Sequence, residues 1–298
     1  MESRSVAVIV RVRSRRGRAA LQRVPALLEE RGLQVLELFT VDRHKALCKA
    51  AKQAVRSKVP MVVVCGGDGT LTSVVSYFAK REVTLGVVPS GTVNSFSRNL
   101  GIDETFEDAA DVIAFGTERR IDVARVNGKY FANFLTVGLE ADAAKRASRA
   151  LKKSLGPLAY GAAALPPFLA YKPFRCTLRA GERRISLETQ HVIVINGKYY
   201  GYEPIDDRAT QTDRHLNVFI DSATGRLGIL KTYLALLRGK LRTLQGAHLF
   251  ATSEPLRIRT KPKQYVSVDG RALGKTPICV EIVPAALRVM TAERADGV

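Results

Sequence analysis

A glycine-rich turn in the first quarter of the chain holds the residue types that bind phosphate. It reads Gly66-Gly67-Asp68-Gly69-Thr70 and follows the apolar, mostly β-branched run Val62–Cys65. Glycines let backbone N–H groups approach an anion without a Cβ in the way, and the N-terminus of a following helix favours negative charge there. A carboxylate in such a turn repels phosphate by itself, so we expect Asp68 to work through a cation or to take a proton. The turn therefore predicts a phosphate site with Asp68 as its reactive side chain.

Strands and helices alternate on either side of this turn. Apolar runs predict strands at Val6–Val12, Gln34–Thr40, Met61–Cys65 and Val83–Val88, with helices at about 18–31, from an N-cap at Asp42 to about Ser57, and beyond Thr70. This alternation with short loops is typical of an open parallel α/β sheet. Ligands bind such sheets beyond the carboxyl ends of the strands. A second loop, Ser90–Asn94, is predicted at the same edge.

The pattern changes after about Ile121, where short apolar runs and turn signals such as Asn127-Gly128 and Asp269-Gly270 predict a mostly antiparallel β sandwich or barrel. The predicted strands are Asp122–Val126, Tyr130–Val137, Phe174–Leu178, His191–Ile195, Leu216–Ile220, Leu256–Arg259, Tyr265–Val268 and Ile278–Ile282, with helical segments at 140–171 and Gly228–Arg238. We therefore predict an α/β domain at 1–122 and a β-rich domain at 123–284 with the helical insert 140–171. For a C-terminal segment, 285–298, a return to the first domain is left open.

The charge balance favours polyanionic partners. Lys and Arg number 47 against 28 Asp and Glu, a formal net charge of +19 over 298 residues. Nucleic acid, an anionic membrane surface and phosphorylated substrates all fit such a field. No zinc finger, RNP-type aromatic motif or basic low-complexity tail is present in the sequence, so nucleic acid is not expected. A generally basic surface is the plainer alternative.

The cysteines and the apolar segments predict a cytoplasmic protein. The four cysteines are widely spaced, without CxxC or Cys/His patterns, which fits a reducing compartment and disfavours a zinc site. The start of the chain lacks a signal-peptide core, and the uncharged run Leu155–Tyr171 is too short and too interrupted by proline for a membrane span. Basic residues precede this run, and others occur near the end of the chain: Lys145, Arg146, Arg149, Lys152 and Lys153, then Arg257, Arg259, Lys261 and Lys263. They predict peripheral docking at an anionic membrane, with a solvated helix face as the alternative.

Together, the two loops resemble the diacylglycerol kinase catalytic-domain superfamily, which includes bacterial soluble lipid kinases and sphingosine kinases. Gly-Gly-Asp-Gly alone would leave NAD kinases and phosphofructokinases open. The second loop, Ser90–Ile102, has the lipid-kinase form, and further similar segments span most of the chain: Ile121–Gly128, Tyr130–Phe134, Val268–Gly270 and Thr276-Pro277. The fold that the resemblance implies is an NAD kinase/diacylglycerol kinase-like α/β domain followed by a mostly antiparallel β sandwich.

The resemblance implies an ATP- and Mg²⁺-dependent lipid kinase that phosphorylates the hydroxyl of diacylglycerol or a related lipid. The first domain would bind the nucleotide and the second the lipid, at an anionic membrane surface. The implied nucleotide residues are Thr40, Gly66, Gly67, Asp68, Gly69, Thr70, Gly91, Thr92 and Asn94. Asp68 would act through Mg²⁺, and Asp269 would lie near the lipid hydroxyl, so both are predicted to be catalytic. A homodimer is left open.

Four departures from the family pattern bear on turnover. Arg11–Gly17 replaces the Asn-Pro-x-Ser/Ala-Gly that follows the first strand, and Ser95 stands where an acid is frequent. Arg271 replaces the glutamate of Asp-Gly-Glu, which resembles the proton acceptor of bacterial relatives, and arginine cannot accept a proton. The acid-rich structural Mg²⁺ loop is reduced here to 213–217, so Asp213 is the weaker metal candidate. The alternatives are a catalytically impaired nucleotide- or lipid-binding protein, and an NAD-kinase-like enzyme, which the second loop disfavours.

Overall fold

The computed structural model describes residues 4–138, 172–200, 203–204, 206–222 and 246–292, with single positions at 141, 228, 231 and 235. Apart from Ala141, the predicted insert 140–171 lies outside the described residues, as does the basic run 145–153. The chain divides into two compact units. One comprises 1–123, 210–212 and 283–298, and the other comprises 124–209 and 213–282.

The first unit is a parallel sheet with helices in its crossover connections. Its elements are β1 (Arg4–Arg11), α1 (Arg15–Glu30), β2 (Leu33–Val41), α2 (His44–Ala54), β3 (Met61–Gly66), α3 (Asp68–Phe78), β4 (Thr84–Pro89), α4 (Ser95–Asn99), α5 (Phe106–Phe115) and the start of β5 (Thr117–Val126). The strand order is β2-β1-β3-β4, with parallel pairing throughout. Strands β3 and β4 are buried along their whole length, as their unbroken apolar sequences require.

The ends of the first two helices show how local residues set their boundaries. Helix α1 begins at the N-cap Ser14, whose Oγ accepts a hydrogen bond from the Gly17 amide at 2.9 Å. It ends before Gly32, whose φ of +78° suits glycine. The prediction of Asp42 as the N-cap of α2 is wrong, because Arg43 takes the extended N-cap conformation and no side chain caps that end.

The second unit is built from antiparallel strands. They are the end of β5, β6 (Lys129–Phe131), β7 (Phe134–Gly138), β8 (Phe174–Ala180), β9 (Arg183–Thr189), β10 (His191–Ile195), β11 (Tyr199–Tyr200), β12 (Glu203–Pro204), β13 (Leu216–Asp221), β14 (Ala247–Thr252), β15 (Leu256–Lys261), β16 (Tyr265–Val268), β17 (Arg271–Lys275) and the start of β18 (Ile278–Thr291). One sheet has the order β14-β13-β10-β7-β16-β17. In the other, β18, β15, β8 and β9 are successive neighbours.

The core of the second unit lies between its two sheets. Buried residues of both sheets form one apolar cluster, among them Leu135, Val194, Val218, Leu178 and Ile258. Strand β18 is long enough to serve both units: its first residues pair with β15, and Val289 pairs with Leu85 of β4 in the first unit.

The strand boundaries of the second unit differ from the sequence prediction at several places. The prediction of a single strand at Tyr130–Val137 is wrong, because the chain leaves the strand ladder between β6 and β7. There the amides of Ala132, Asn133 and Phe134 donate to the Asp269 carboxylate instead. Strands β9, β14 and β17 were not predicted from the sequence. The fold class is confirmed: a parallel α/β unit and an antiparallel, sandwich-like β unit. Within the described part of the chain, no helix is long and apolar enough to cross a membrane.

Candidate functional site

The glycine-rich turn joins β3 to α3 at the carboxyl edge of the parallel sheet. Strand β3 ends at Gly66, Gly67 is the N-cap of α3, and Asp68, Gly69 and Thr70 form its first turn. No side chain caps this N-terminus. The first amides of a helix have no acceptor within the helix, and the helix dipole adds positive potential there. The turn is therefore suited to bind an anion such as phosphate.

The second loop lies directly against the turn. A Cβ placed on Gly67 would lie 2.7 Å from the Cα of Gly91, and one placed on Gly91 would lie 2.6 Å from the Cα of Gly67. The Ser90 amide also donates to the Gly66 carbonyl at 3.1 Å. Both glycines are therefore required by the contact between the loops, whatever they do for a ligand.

Asp68 links the two loops through its carboxylate. Its Oδ2 accepts a hydrogen bond from the Ser95 amide at 3.1 Å, and its Oδ1 accepts one from the Phe96 amide at 2.9 Å. These amides belong to the first turn of α4, so the carboxylate supplies the acceptors that this helix N-terminus lacks. Asp68 thus holds the first residues of α4 next to the glycine-rich turn.

Asn94 shapes the second loop from within. It adopts the left-handed conformation with φ +53°, which asparagine tolerates better than most residues. Its Oδ1 accepts from the Gly91 amide at 2.9 Å, and its Nδ2 donates to the Gly91 carbonyl at 3.1 Å. The side chain is buried. Asn94 therefore acts on the loop backbone, whereas Thr92 of the same loop is exposed.

Arg11 brings a positive charge to the same place. It is the last residue of β1, and its Nη1 donates to Thr70 Oγ1 at 3.3 Å. A guanidinium beside a helix N-terminus is unfavourable by itself, because the dipole there is also positive. An anion bound at the turn would make this position favourable for the Arg11 guanidinium. Sequence reasoning identified the altered 11–17 loop but not this contact, and the position of Arg11 at a strand end next to β3 was the available signal.

Thr40 is not brought into the cluster formed by the two loops. It lies near the end of β2, pairs in register with Val10 and is exposed. Strand β1 separates β2 from β3, which puts Thr40 two strand spacings, about 10 Å, from the glycine-rich turn. That separation is compatible with the adenine-side role that the resemblance implies.

Next to the turn, burial strongly raises the pKa of the Cys65 thiol, so this cysteine is a core residue rather than a nucleophile.

Asp269 is buried in the second unit and holds a backbone segment. Its φ is +44° in the Asp269-Gly270 turn between β16 and β17. Its Oδ1 accepts from the amides of Asn133 (3.2 Å) and Phe134 (2.8 Å), and its Oδ2 from that of Ala132 (3.3 Å). Because its carboxylate accepts hydrogen bonds from three amides, Asp269 is a positioning residue for the 132–134 backbone. The half-exposed Arg271 follows it at the start of β17.

Asp213 gains no support as a metal ligand. Its Oδ1 accepts a hydrogen bond from the His215 amide at 2.8 Å, which closes a tight polar turn. Among the residues that the structure describes, no three His, Cys, Asp or Glu side chains come together as a metal site would require. A metal at Asp213 stays a prediction.

Comparisons with known proteins agree with this architecture. Residues 5–126 match the diacylglycerol kinase catalytic domain, and residues 133–291 match the YegS C-terminal NAD kinase beta sandwich-like domain. The chain is 27% identical over 259 residues to the diacylglycerol kinase of Bacillus subtilis, covering 82% of this chain and 85% of that protein. It is also 27% identical over 256 residues to a Staphylococcus haemolyticus protein provisionally named a lipid kinase, covering 82% and 80%.

A solved structure supports the fold. The crystal structure of a Bacillus anthracis protein provisionally described as a diacylglycerol kinase superposes with a TM-score of 0.79 at 24% identity, covering 98% of this chain and 96% of that one. At that identity the likeness speaks for the fold alone. The two domain matches cover most of the chain in the order that the structure shows. The chain therefore belongs to the diacylglycerol kinase catalytic-domain family, among the members that carry a YegS-type C-terminal β-sandwich domain.

Proposed function

We propose that the protein is an ATP-dependent lipid kinase that transfers the γ-phosphoryl group to the hydroxyl of diacylglycerol or a related lipid. The observation that carries the proposal is the bridge from the Asp68 carboxylate to the Ser95 and Phe96 amides. It joins the glycine-rich turn to the second loop, and it sets a carboxylate beside the helix N-terminus that is suited to bind phosphate. Phosphoryl transfer needs this kind of positioning and charge stabilisation more than covalent chemistry.

The site fits a magnesium ion that arrives with ATP. A carboxylate has about four acceptor positions, so the hydrogen bonds that Asp68 accepts from the two amides do not by themselves exclude a cation. Magnesium in kinases is bound by one or two carboxylates, with phosphates and water completing its shell. In this site it would neutralise charge on the transferring phosphoryl group.

The remaining residues of the site would bind and orient the nucleotide. Amides at the start of α3 and the Arg11 guanidinium would contact the phosphates, and Thr70 would orient Arg11 through its hydroxyl. Gly67 and Gly91 would keep the two loops in contact. The lipid hydroxyl must still lose a proton, and Asp269, bound to three amides, is better placed to hold the 132–134 segment than to accept it.

A catalytically impaired binding protein is the second candidate. It is favoured by Arg271 in place of the glutamate that the family pattern leads one to expect, and by Ser95, which is fully buried and contributes its amide to Asp68. Loss of a general base costs on the order of 10²–10⁴ in rate. Such a protein would bind ATP and lipid with little turnover.

A lipid-panel assay tests the proposal. The purified protein is incubated with labelled ATP, Mg²⁺ and diacylglycerol, monoacylglycerol, ceramide or sphingosine in neutral detergent micelles, with NAD as a non-lipid acceptor. The proposal expects label in one class of lipid. ATP binding without labelled lipid would favour the impaired protein, and labelled NAD alone would contradict both candidates.

A further inference from the structure

One sheet of the second unit presents a dense field of positive charge to solvent. Strands β15, β8 and β9 lie side by side, and their side chains alternate between the core and the outside. The outward side chains, which we call the basic sheet face, are Arg175, Thr177, Arg179, Arg184, Ser186, Glu188, Arg257, Arg259 and Lys261. Six of the nine are basic and one is acidic.

The strand register places like charges opposite each other. Arg257 pairs with Arg179, and Arg179 pairs with Arg184, so three guanidinium groups form a row across three strands. Lys261 is opposite Arg175 in the same way. Like charges in directly opposed positions destabilise a sheet. A partner of opposite charge would remove that repulsion.

The neighbouring acids do not neutralise this face. Within the described part of the chain, none of its six basic side chains takes part in an ion pair. Glu188 is opposite Arg175 in register without forming one. On the adjacent strand β18, Glu281 is already bonded to Arg125 at 2.7 Å. The basic sheet face therefore offers its charge to an external anion.

We propose that the basic sheet face docks on an anionic lipid bilayer. Sheets that bind single-stranded nucleic acid place aromatic side chains on the binding face for base stacking. All nine outward side chains here are non-aromatic. Binding to a layer of anionic headgroups requires only positive charge spread over an open surface. The choice of a membrane rests on the proposed function, because a lipid kinase must reach a substrate held in a bilayer.

Vesicle binding tests the docking surface in the absence of ATP. The variant R179Q/R257Q/R259Q is compared with K49Q/K52Q/R56Q, which removes the same charge from exposed positions of α2 and the residues after it. Co-sedimentation uses phosphatidylcholine vesicles with and without phosphatidylserine. Each basic residue near an anionic surface contributes about fivefold in affinity, so the face variant should bind on the order of 100-fold more weakly. The control should bind close to wild type, and salt should weaken wild-type binding.

The outcomes separate docking from catalysis. Equal losses in both variants would show that binding follows net charge rather than this face, and would overturn the inference. Wild-type binding that does not increase when phosphatidylserine is added to the vesicles would overturn it as well. So would face-dependent binding to duplex RNA that is tighter than binding to vesicles. Face-dependent vesicle binding by a protein without kinase activity would support docking while contradicting the proposed function.

Discussion

Gly67 and Gly91 touch across the two loops at the carboxyl ends of β3 and β4, so closely that a methyl group on either would overlap the other's Cα. Neither has a positive φ, so alanine would be acceptable to the backbone at both positions. What excludes it is the neighbouring loop. The contact fixes the spacing of the amides at the start of α3 relative to those at the start of α4.

Alanine at either glycine should therefore separate the loops. We expect G67A and G91A to lose measurable ATP binding in calorimetry and to lower the free energy of unfolding by about 1–3 kcal/mol, since backbone must shift to relieve the overlap. G274A is the matched control, because a Cβ there has no heavy atom within 4 Å. Full ATP binding by G67A would show that the contact does not shape the site.

Replacing Arg11 should weaken nucleotide binding more than it changes folding. We expect R11Q to weaken ATP binding roughly 10- to 100-fold, because a hydrogen bond to a charged group contributes about 1.5–3 kcal/mol. Exposed Arg13 in the same loop gives the control R13Q, which keeps the same net charge as R11Q. Equal ATP affinities for the two variants would mean that Arg11 acts only through general charge.

Asp269 should matter to stability through the segment that it holds. We expect D269N to lower the free energy of unfolding by about 2 kcal/mol, since the three amides lose a charged acceptor. D207N removes an exposed carboxylate paired with Lys198, and it should change the free energy of unfolding by less than about 1 kcal/mol. Denaturant unfolding measures both. A D269N protein as stable as wild type that has lost all turnover would instead assign Asp269 to proton transfer.

Arg271 gives a gain-of-function test. If a missing proton acceptor limits turnover, R271E should raise kcat, by up to 10²–10⁴-fold, while the Kd for ATP stays within a few-fold of wild type. The measurement is steady-state kinetics on the preferred lipid, with R271Q as the control that removes the positive charge without adding a base. Equal kcat for R271E and R271Q would place the proton acceptor elsewhere.

Much of the architecture could be predicted because the decisive patterns are local. Apolar runs before glycine-containing loops indicated β3 and β4, and Gly32 indicated the end of α1. The break between β6 and β7 could not be predicted, since its cause is a carboxylate more than 130 positions away in sequence. Strand β9 was missed because it is polar and exposed along much of its length and pairs by backbone with β8.

The sequence and its family resemblance supply candidate residues for the site but not the contacts between them. The family resemblance implies that Gly67, Gly91 and Asp68 bind the nucleotide and its metal. The structure adds that Gly67 and Gly91 lie in direct contact and that Asp68 binds two amides of α4. Spacing along the chain carries no information on which loop amides lie within hydrogen-bond distance of a carboxylate. The row Arg257–Arg179–Arg184 depends in the same way on strand register.

The most direct test of the central claim compares wild type with D68N in a lipid kinase assay. Labelled ATP, Mg²⁺ and diacylglycerol in neutral detergent micelles are the reactants, and circular dichroism confirms that both proteins are folded. We expect wild type to form labelled lipid and D68N to lose at least about 100-fold in kcat, the scale expected for removing one preorganised electrostatic group. Labelled lipid formed at equal rates by both proteins would contradict the assignment of this site.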